Sequence, residues 1–270
     1  VAPAFVGQFG PDATPSRVKA ALLELGFSDV VETALGADIG AVAEAHHYAN
    51  HVATGELPFL LTSCCPSWSV MAKNLFPETI DKISNELTPM VATARLIKQE
   101  HPDASVVFIG PCASKKLEAS RRTVRSDVDF VITFEELTGM FEAKGILLDE
   151  IKAMDEMKDA TAAGRGYGVA GGVANAIKEC IEQYYPGTPV NIQHAESLAE
   201  CKKALLLAKA GKMNGCLIEG MACPGGCIAG AGTNIAIPVA ARAVDKFKNE
   251  AEKKVPDESV DQEMVELEKE

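Results

Sequence analysis

The sequence predicts an α/β fold. Segments with helical periodicity alternate with short apolar segments of strand type along most of the 270 residues, as expected when helices flank small, mostly parallel sheets. With 47% hydrophobic residues and a mean hydropathy of +0.05, the composition is that of a chain with a packed core and not of a disordered one. A chain of this length forms one large domain or two moderate lobes.

The first half of the chain contains most of the predicted alternation. Thr14 and Pro15 suit the N-cap and first position of a helix that stops near Gly26. A second helix is expected from Asp38 to Thr54, where a glycine follows. The next predicted elements are, in order, the strand LPFLLTS, the helices WSVMAKNLF and VATARLIKQEH, the strands ASVVFIG and DFVITF, and the helix EELTGMFEAKG.

The second half begins with a predicted surface loop over residues 154–163. A glycine-rich turn, GRGYGVAGGV, then leads into the helix ANAIKECIEQYY. The remaining elements are the strands VNIQHAE and CLIEGM, the helix LAECKKALLLAKAGK between them, and the helix IPVAARAVDKF. Residues 246–270 are rich in charge and poor in core residues, which predicts a solvated helix or linker. We therefore expect one domain over residues 1–245 and a tail over residues 246–270.

Charge and hydropathy exclude two classes of function. The formal net charge is −12 and the pI is about 5.0, so no basic surface is expected to bind nucleic acid. The longest apolar runs are far shorter than the roughly 20 residues of a transmembrane helix. No secretory signal opens the chain, so we expect a cytoplasmic protein. Its first residue is Val1 and not Met, as in a fragment of a longer protein.

The eight cysteines are distributed unevenly. Small disulfide-rich secreted domains are short and dense in cysteine, whereas clustered thiols in a cytosolic chain are more often metal ligands or catalytic groups. Cys180, Cys201 and Cys216 fall inside helix or strand patterns, where a buried, small apolar side chain is expected. The other five lie in three loops.

These three loops, TSCCPSW, GPCASKKLE and EGMACPGGC, each follow a predicted strand. Ligands of α/β sheets gather at the carboxyl ends of strands, so the loops are expected to meet at one place. One thiol from each of the first two loops and two from the third give the four ligands of an iron–sulfur cluster. Zinc is the alternative metal, although structural zinc sites favour C-x2-C pairs and the last loop is C-x3-C.

The three motifs TSCCPSW, PCASKKLE and EGMACPGGCIAGAG resemble the signature motifs of the H-cluster domain of [FeFe]-hydrogenases. The opening VAP and the segment GYGVAGGV also match segments of that domain. The resemblance extends from Val1 to Thr233. It implies two lobes with small sheets and a cofactor buried between them.

The resemblance also implies the cofactor and its ligands. A [4Fe-4S] cluster is joined in this family to a diiron subcluster that carries CO, cyanide and an azadithiolate bridge. By position, the cubane would be bound by four cysteines, and Cys227 would bridge to the diiron unit. Cys64 would exchange protons with the bridge, and Lys115 would bind one cyanide. The expected cubane ligands are Cys65, Cys112, Cys223 and Cys227, and the other expected cofactor contacts are Ala2, Pro3 and Met221.

Proton transfer in the family runs from the relay cysteine through a glutamate, a serine, a second glutamate and an arginine. Glu44 and Ser84 match the first two of these positions. His47 and His51 replace the others. Glu44, His47 and His51 follow i, i+3, i+7 spacing and share one helix face. Imidazole exchanges protons near neutral pH, so an altered route is predicted; the alternative is that the histidines only line a solvated helix.

One group of proteins that resembles these hydrogenases has a different function. Eukaryotic iron–sulfur assembly factors keep the final motif but lose parts of the first two, whereas this chain retains Cys64, Cys65 and Lys115. The predicted activity is therefore a hydrogenase, 2H⁺ + 2e⁻ in equilibrium with H2, in an anaerobic cytoplasm. The alternative is an electron-transfer or redox-sensing iron–sulfur protein without the diiron subcluster.

Four positions depart from catalytic members of the family. The second motif has a glycine where methionine is usual, a glutamine expected near the diiron site is a methionine, and the final GGGQ is altered. The departures are Gly110, Met90, Ala231 and Thr233. They are typical of the divergent, H2-sensing branch with low turnover. The expected partners are a redox partner or an additional Fe-S domain, maturation proteins that assemble the cofactor, and a signalling domain downstream.

Overall fold

The computed structural model describes residues 1–154, 157–257 and 260. These residues form ten α-helices and two separate parallel sheets, so the predicted α/β class with small parallel sheets flanked by helices is confirmed. The strands are β1 (Phe59–Leu61), β2 (Val107–Ile109), β3 (Phe130–Ile132), β4 (Asn191–Glu196) and β5 (Cys216–Met221). The helices are α1 (Pro15–Leu25), α2 (Ala34–His47), α3 (Pro66–Leu75), α4 (Pro89–Glu100), α5 (Ala113–Ala119), α6 (Phe134–Lys144), α7 (Ala162–Arg165), α8 (Gly172–Tyr184), α9 (Ser197–Lys209) and α10 (Ile237–Asn249).

The larger sheet has the strand order β1-β5-β4. Side chains alternate across it, as they must in an extended strand. Leu60 and Leu217 pack on one face with α2 and α8. Leu61 and Ile218 pack on the other face. Strands β1 and β5 are therefore covered on both sides, which explains why residues 59–61 and 216–218 are continuous apolar runs.

The smaller sheet pairs β2 with β3 and has its own hydrophobic core. Helices α1, α4, α6 and α10 contribute to that core. Local sequence sets the limits of two of them: Thr14 accepts a hydrogen bond from the Arg17 amide at the start of α1, and a capping box formed by Thr133 and Glu136 begins α6. Both helices end at a glycine in the left-handed conformation, as the sequence predicts.

Helix α2 lies between the core of the larger sheet and the core of the smaller sheet, and it contacts α4, α7 and α8. It begins at Ala34, four residues before the predicted start, and continues through a π-helical segment, Tyr48–Val52. Its small residues allow close packing: a β-carbon at Gly36 would lie 2.5 Å from the Pro89 carbonyl oxygen. The early start depends on packing against other helices. The sequence indicates a later start because Asp is a residue type that commonly begins a helix.

The predicted surface loop over residues 154–163 is buried in its described C-terminal part. Asp38 is the reason: its carboxylate accepts hydrogen bonds from the Thr161 amide at 2.7 Å, the Thr161 hydroxyl at 2.6 Å and the Gly164 amide at 2.9 Å. Burial raises the pKa of Asp38 to about 6, although these bonds oppose the rise. Of the predicted tail, residues 253 and 254 bond α7 through their carbonyl groups, and residues 258, 259 and 261–270 lie outside the described part.

Candidate active site

A cavity of about 170 Å³ lies where the strand-following loops of both sheets meet. It is lined by all nine of the predicted cofactor contacts: Ala2, Pro3, Cys64, Cys65, Cys112, Lys115, Met221, Cys223 and Cys227. The prediction that three distant loops converge is therefore met by the geometry, because each loop leaves the carboxyl end of a parallel strand.

Two cysteines sit at equivalent places in the two sheets. Cys65 follows β1 and is the N-cap of α3, and Cys112 follows β2 and is the N-cap of α5. Pro66 occupies the first position of α3, where a missing amide hydrogen costs nothing. The partial positive charge of each helix N-terminus therefore faces the thiol at its start.

Cys223 and Cys227 enclose a tight loop after β5. Gly225 and Gly226 have φ values of 90° and 91°, which favour glycine. A β-carbon at Gly226 would also lie 2.5 Å from the Ala170 amide nitrogen, in the glycine-rich segment. The loop thus needs glycine for both conformation and space, and so brings two thiols to one cavity.

The four cysteines are free thiols that interact electrostatically. Burial raises the pKa of Cys227, and the charges of Cys112 and Cys65 raise it further. Buried cysteines with raised pKa values stay neutral thiols unless a bound cation stabilises their thiolates. Among the described residues no three His, Cys, Asp or Glu side chains converge closely enough for a single metal ion. Four thiols around one cavity are the ligand set of an iron–sulfur cluster.

Cys64 lines the same cavity but is not one of these four cysteines, and the Glu44 carboxyl group influences its pKa. Burial raises its pKa well above the usual value, and the charge of Glu44 raises it further. The group is therefore a protonated thiol at neutral pH. A buried thiol beside a cavity, with a carboxyl group close behind it, is a suitable proton donor.

Lys115 lines the cavity from α5 and is 8% exposed. Its Nζ donates to Oε2 of Glu118 at 2.6 Å, and Glu118 also accepts from the Thr88 hydroxyl at 2.9 Å. Burial lowers the pKa of Lys115, but the Glu118 carboxylate and the charges of Cys112 and Cys64 together raise it, and the net shift is upward. The cavity therefore has one fixed cation, which suits an anionic ligand.

Glu44 lies behind Cys64 on α2 and is 4% exposed. Burial raises its pKa to about 7, while hydrogen bonds from the Ser84 side chain and the Ser63 backbone lower it. The charge of Glu219, on β5, raises it again. The carboxyl group therefore exchanges a proton near neutral pH, and Ser84 lies next to it as the sequence predicts.

His47 and His51 lie together further along the same helix, with ring centroids 5.0 Å apart. Burial lowers the pKa of His47, as does the charge of His51. His51 reaches the surface and lies 2.8 Å from Oε2 of Glu56. The structure thus brings the predicted relay residues into two groups, Glu44 with Ser84 and His47 with His51.

The cavity explains one departure from the family pattern. A β-carbon at Gly110 would lie 2.6 Å from the Phe108 ring and 3.1 Å from the Ala2 side chain. Phe108 also lines the cavity, so its ring occupies the space of a side chain at position 110. Met90, another departure, lines the cavity and is buried.

Tyr167 is a cavity residue that the sequence analysis does not identify as functional, although it lies in the GYGVAGGV segment. It is 7% exposed, and its hydroxyl has no hydrogen-bond partner among the described residues. Burial raises its pKa strongly, and the charges of Glu44 and Cys64 add to the rise. An unpaired buried hydroxyl costs about 1–3 kcal/mol, so the cavity fits a polar occupant.

No helix within the described residues combines the length and apolar character needed to cross a bilayer. The chain is 28% identical over 266 residues to iron hydrogenase 1 of Clostridium pasteurianum, covering 83% of this chain and 46% of that protein. It is 28% identical to the periplasmic [Fe] hydrogenase large subunit of Nitratidesulfovibrio vulgaris, covering 86% and 65%. The chain therefore spans about half to two thirds of these relatives.

A different relative matches a shorter part. The cytosolic Fe-S cluster assembly factor NAR1 of Kluyveromyces lactis is 40% identical over 81 residues, which is 30% of this chain and 17% of that protein. Among solved structures, a variant of [FeFe]-hydrogenase HydA1 from Chlamydomonas reinhardtii superimposes with a TM-score of 0.79 at 23% identity. That superposition covers 99% of this chain and 88% of the other, and it shows a common fold.

The family description "iron only hydrogenase large subunit, C-terminal domain" matches residues 1–231. That range contains the cavity, all five loop cysteines and Lys115. This chain belongs to the family of iron-only hydrogenase large subunits and carries their C-terminal, H-cluster domain.

Proposed function

We propose that the chain catalyses the reversible reaction 2H⁺ + 2e⁻ to H2 at an H-cluster. The observation that carries the proposal is that Cys64 and Lys115 line one cavity with the four cysteines. A cubane alone needs only the four thiolates. A buried proton donor and a buried cation are additional groups, and they suit a reaction that consumes protons at an anionic cofactor.

We assign each cavity residue a role from its position. Cys65, Cys112, Cys223 and Cys227 would hold a [4Fe-4S] cluster, with Cys227 shared with a diiron subcluster bearing CO, cyanide and azadithiolate. When bound, this cofactor supplies the iron chemistry and the electrons. Lys115, held by Glu118 at 2.6 Å, would orient an anionic ligand through a charge-assisted hydrogen bond. Ala2, Pro3 and Met221 would exclude water from the cavity.

Proton delivery is the second task of the protein. Cys64 would pass a proton between the cavity and Glu44, whose pKa of about 7 suits transfer in either direction. Ser84 would orient the Glu44 carboxyl group. His47 and His51 would continue the route to the surface, where His51 meets Glu56. This route is supported by the two residue groups described above and by α2 with its π-helical continuation, which carry Glu44, His47 and His51.

Cofactor loading provides the experiment that tests the proposal. Protein produced without the maturation machinery is expected to hold the cubane alone, about four irons per chain. Adding the diiron precursor is then expected to give carbonyl and cyanide infrared bands together with H2 activity. If the infrared spectrum stays silent and iron does not rise above four per chain, the protein is an electron-transfer or redox-sensing iron–sulfur protein instead.

The cavity lining supports a low-turnover, H2-sensing role within this function. Gly110, Met90 and Ala231 present no hydrogen-bonding side chain to the cavity that they line or adjoin. Fewer polar contacts around the reacting atoms lower the stabilisation of developing charge. We expect a lower turnover number than in a catalytic hydrogenase at comparable affinity for H2, measured by gas evolution and by H2 titration of the infrared bands.

A further inference from the structure

Glu196 is the last residue of β4 and contacts the loop between two of the proposed cluster ligands. Its register partner on β5 is Met221, two residues before Cys223. Its Oε2 accepts a hydrogen bond from the Gly225 amide at 2.7 Å. A carboxylate from a neighbouring strand is therefore bound to the middle of the Cys223–Cys227 loop.

The backbone around Glu196 is strained to hold this position. Ser197, the next residue, has a φ of 74° and is the one non-glycine residue with positive φ in the described part of the chain. A residue with a β-carbon rarely adopts this left-handed conformation, because its β-carbon comes too close to the following carbonyl oxygen. Glu200 supports it from the first turn of α9, because its Oε2 accepts from the Glu196 amide at 3.2 Å.

The amide hydrogens of residues 225 and 226, between the two cysteines, are both bound by protein oxygens. Pro224 has no amide hydrogen, and the Gly226 amide donates to the Cys223 carbonyl oxygen at 3.0 Å. The Gly225 amide is the one that Glu196 binds. The Gly225 carbonyl oxygen in turn accepts from the Ala170 amide at 3.0 Å. The loop thus directs no backbone donor of its residues 224–226 to a sulfur.

The negative charge of Glu196 also reaches the interior. It contributes to the raised pKa of the buried Glu219, after burial itself. Reduction potentials of iron–sulfur clusters fall when negative charge is near and rise when hydrogen bonds reach the sulfurs. Glu196 therefore lowers the reduction potential in two ways. Its carboxylate adds negative charge near the cluster, and it keeps the Gly225 amide from donating to a sulfur.

We infer that Glu196 is a positioning residue that lowers the reduction potential of the cubane by binding the Gly225 amide. The inference rests on the proposed cluster at the four cysteines. It extends that proposal to a residue outside the cavity lining. A low potential makes the reduced cluster a stronger electron donor toward protons.

The test is a redox titration, followed by electron paramagnetic resonance, of protein that holds the cubane alone. Glu196→Gln keeps an acceptor oxygen and removes the charge, and Glu196→Ala removes both. At a fixed potential near the midpoint, Glu196→Gln is expected to raise the ratio of reduced to oxidised cluster roughly threefold to tenfold. The upper value corresponds to ~59 mV for a one-electron couple. Glu196→Ala is expected to shift the ratio further.

Glu200→Gln is the matched control, because it removes an exposed carboxylate near Glu196 and keeps an acceptor oxygen for the Glu196 amide. It is expected to leave the ratio within twofold of the parent protein. An unchanged ratio in Glu196→Gln, or an equal shift in Glu200→Gln, would overturn the inference. Iron analysis separates this outcome from failure of the proposed function: without about four irons in the parent protein, the cluster assignment itself is wrong.

Discussion

Replacing Tyr167 by phenylalanine is expected to have opposite effects on the unloaded and the loaded protein. The Tyr167 hydroxyl is buried in the cavity wall without a partner among the described residues. Removing such a group from protein without the diiron unit relieves a desolvation cost of about 1–3 kcal/mol. In a chain of this size each kcal/mol corresponds to roughly 2–4 °C in Tm. We therefore expect Tyr167→Phe to melt several degrees higher than the parent when both hold the cubane alone.

The loaded protein should respond in the other direction. If the hydroxyl donates to the cofactor, Tyr167→Phe loses that bond, gains less stability on loading, and shows shifted carbonyl or cyanide infrared bands. Calorimetry of unloaded and loaded samples, with infrared spectra of the latter, measures both effects.

Tyr48→Phe provides the comparison for the unloaded protein. Its hydroxyl donates to the Gly215 carbonyl oxygen at 2.7 Å, so its removal is expected to destabilise the protein by about 1 kcal/mol. A lower Tm for unloaded Tyr167→Phe, similar to that of Tyr48→Phe, would show that the Tyr167 hydroxyl is already paired. Unshifted infrared bands would refute its role toward the cofactor.

Three further predictions concern the proton route. Cys64→Ala should keep about four irons per chain before loading and lower H2 evolution by about 10²–10⁴-fold, measured by iron analysis and gas chromatography; loss of the cubane would instead make Cys64 a ligand. Glu44→Gln should lower turnover strongly. Because burial raises the folded-state pKa of Glu44 from 4.5 to about 7, the stability of the parent falls as pH rises through that interval, and denaturation of the variant at several pH values should lack this component. His47→Ala should change the pH profile of activity between about pH 5 and 8; unchanged rates and profiles in both helix variants would mean that protons travel elsewhere.

The loops that form the cavity are predictable from the sequence because their geometry is local. A strand followed by Cys-Pro, or by Cys-Pro-Gly-Gly-Cys, places a thiol at a helix start or in a glycine turn without help from distant residues. The hydrogen bonds that surround the cavity residues, by contrast, join residues that are far apart in the sequence. Glu196 meets Gly225, 29 residues away, and Thr88 meets Glu118, 30 residues away. No periodicity or spacing within one segment contains these contacts.

Packing between elements accounts for the other differences. The start of α2 moves to Ala34 because α4 and α7 pack closely on its first turns, and a β-carbon at Gly164 would lie 2.3 Å from the Ala34 carbonyl oxygen. The burial of residues 160–163 follows from Asp38, whose side chain binds Thr161 and Gly164. The periodicity of a helix in the sequence does not show which other element the helix packs against. It also does not show which of its side chains forms hydrogen bonds to that element.

The position of the cysteines on two separate sheets has a consequence for how the molecule is held together. Cys65 and both cysteines of the last loop follow strands of the larger sheet, whereas Cys112 follows β2 of the smaller one. A cluster bound to all four is a covalent cross-link that closes chain segments of about 50 and about 110 residues. By the loop-entropy relation for disulfides, each closure restricts the unfolded chain by roughly 4–5 kcal/mol. Oxidative loss of the cluster would then remove this cross-link between the two sheets, so oxygen damage would also lower the stability of the fold.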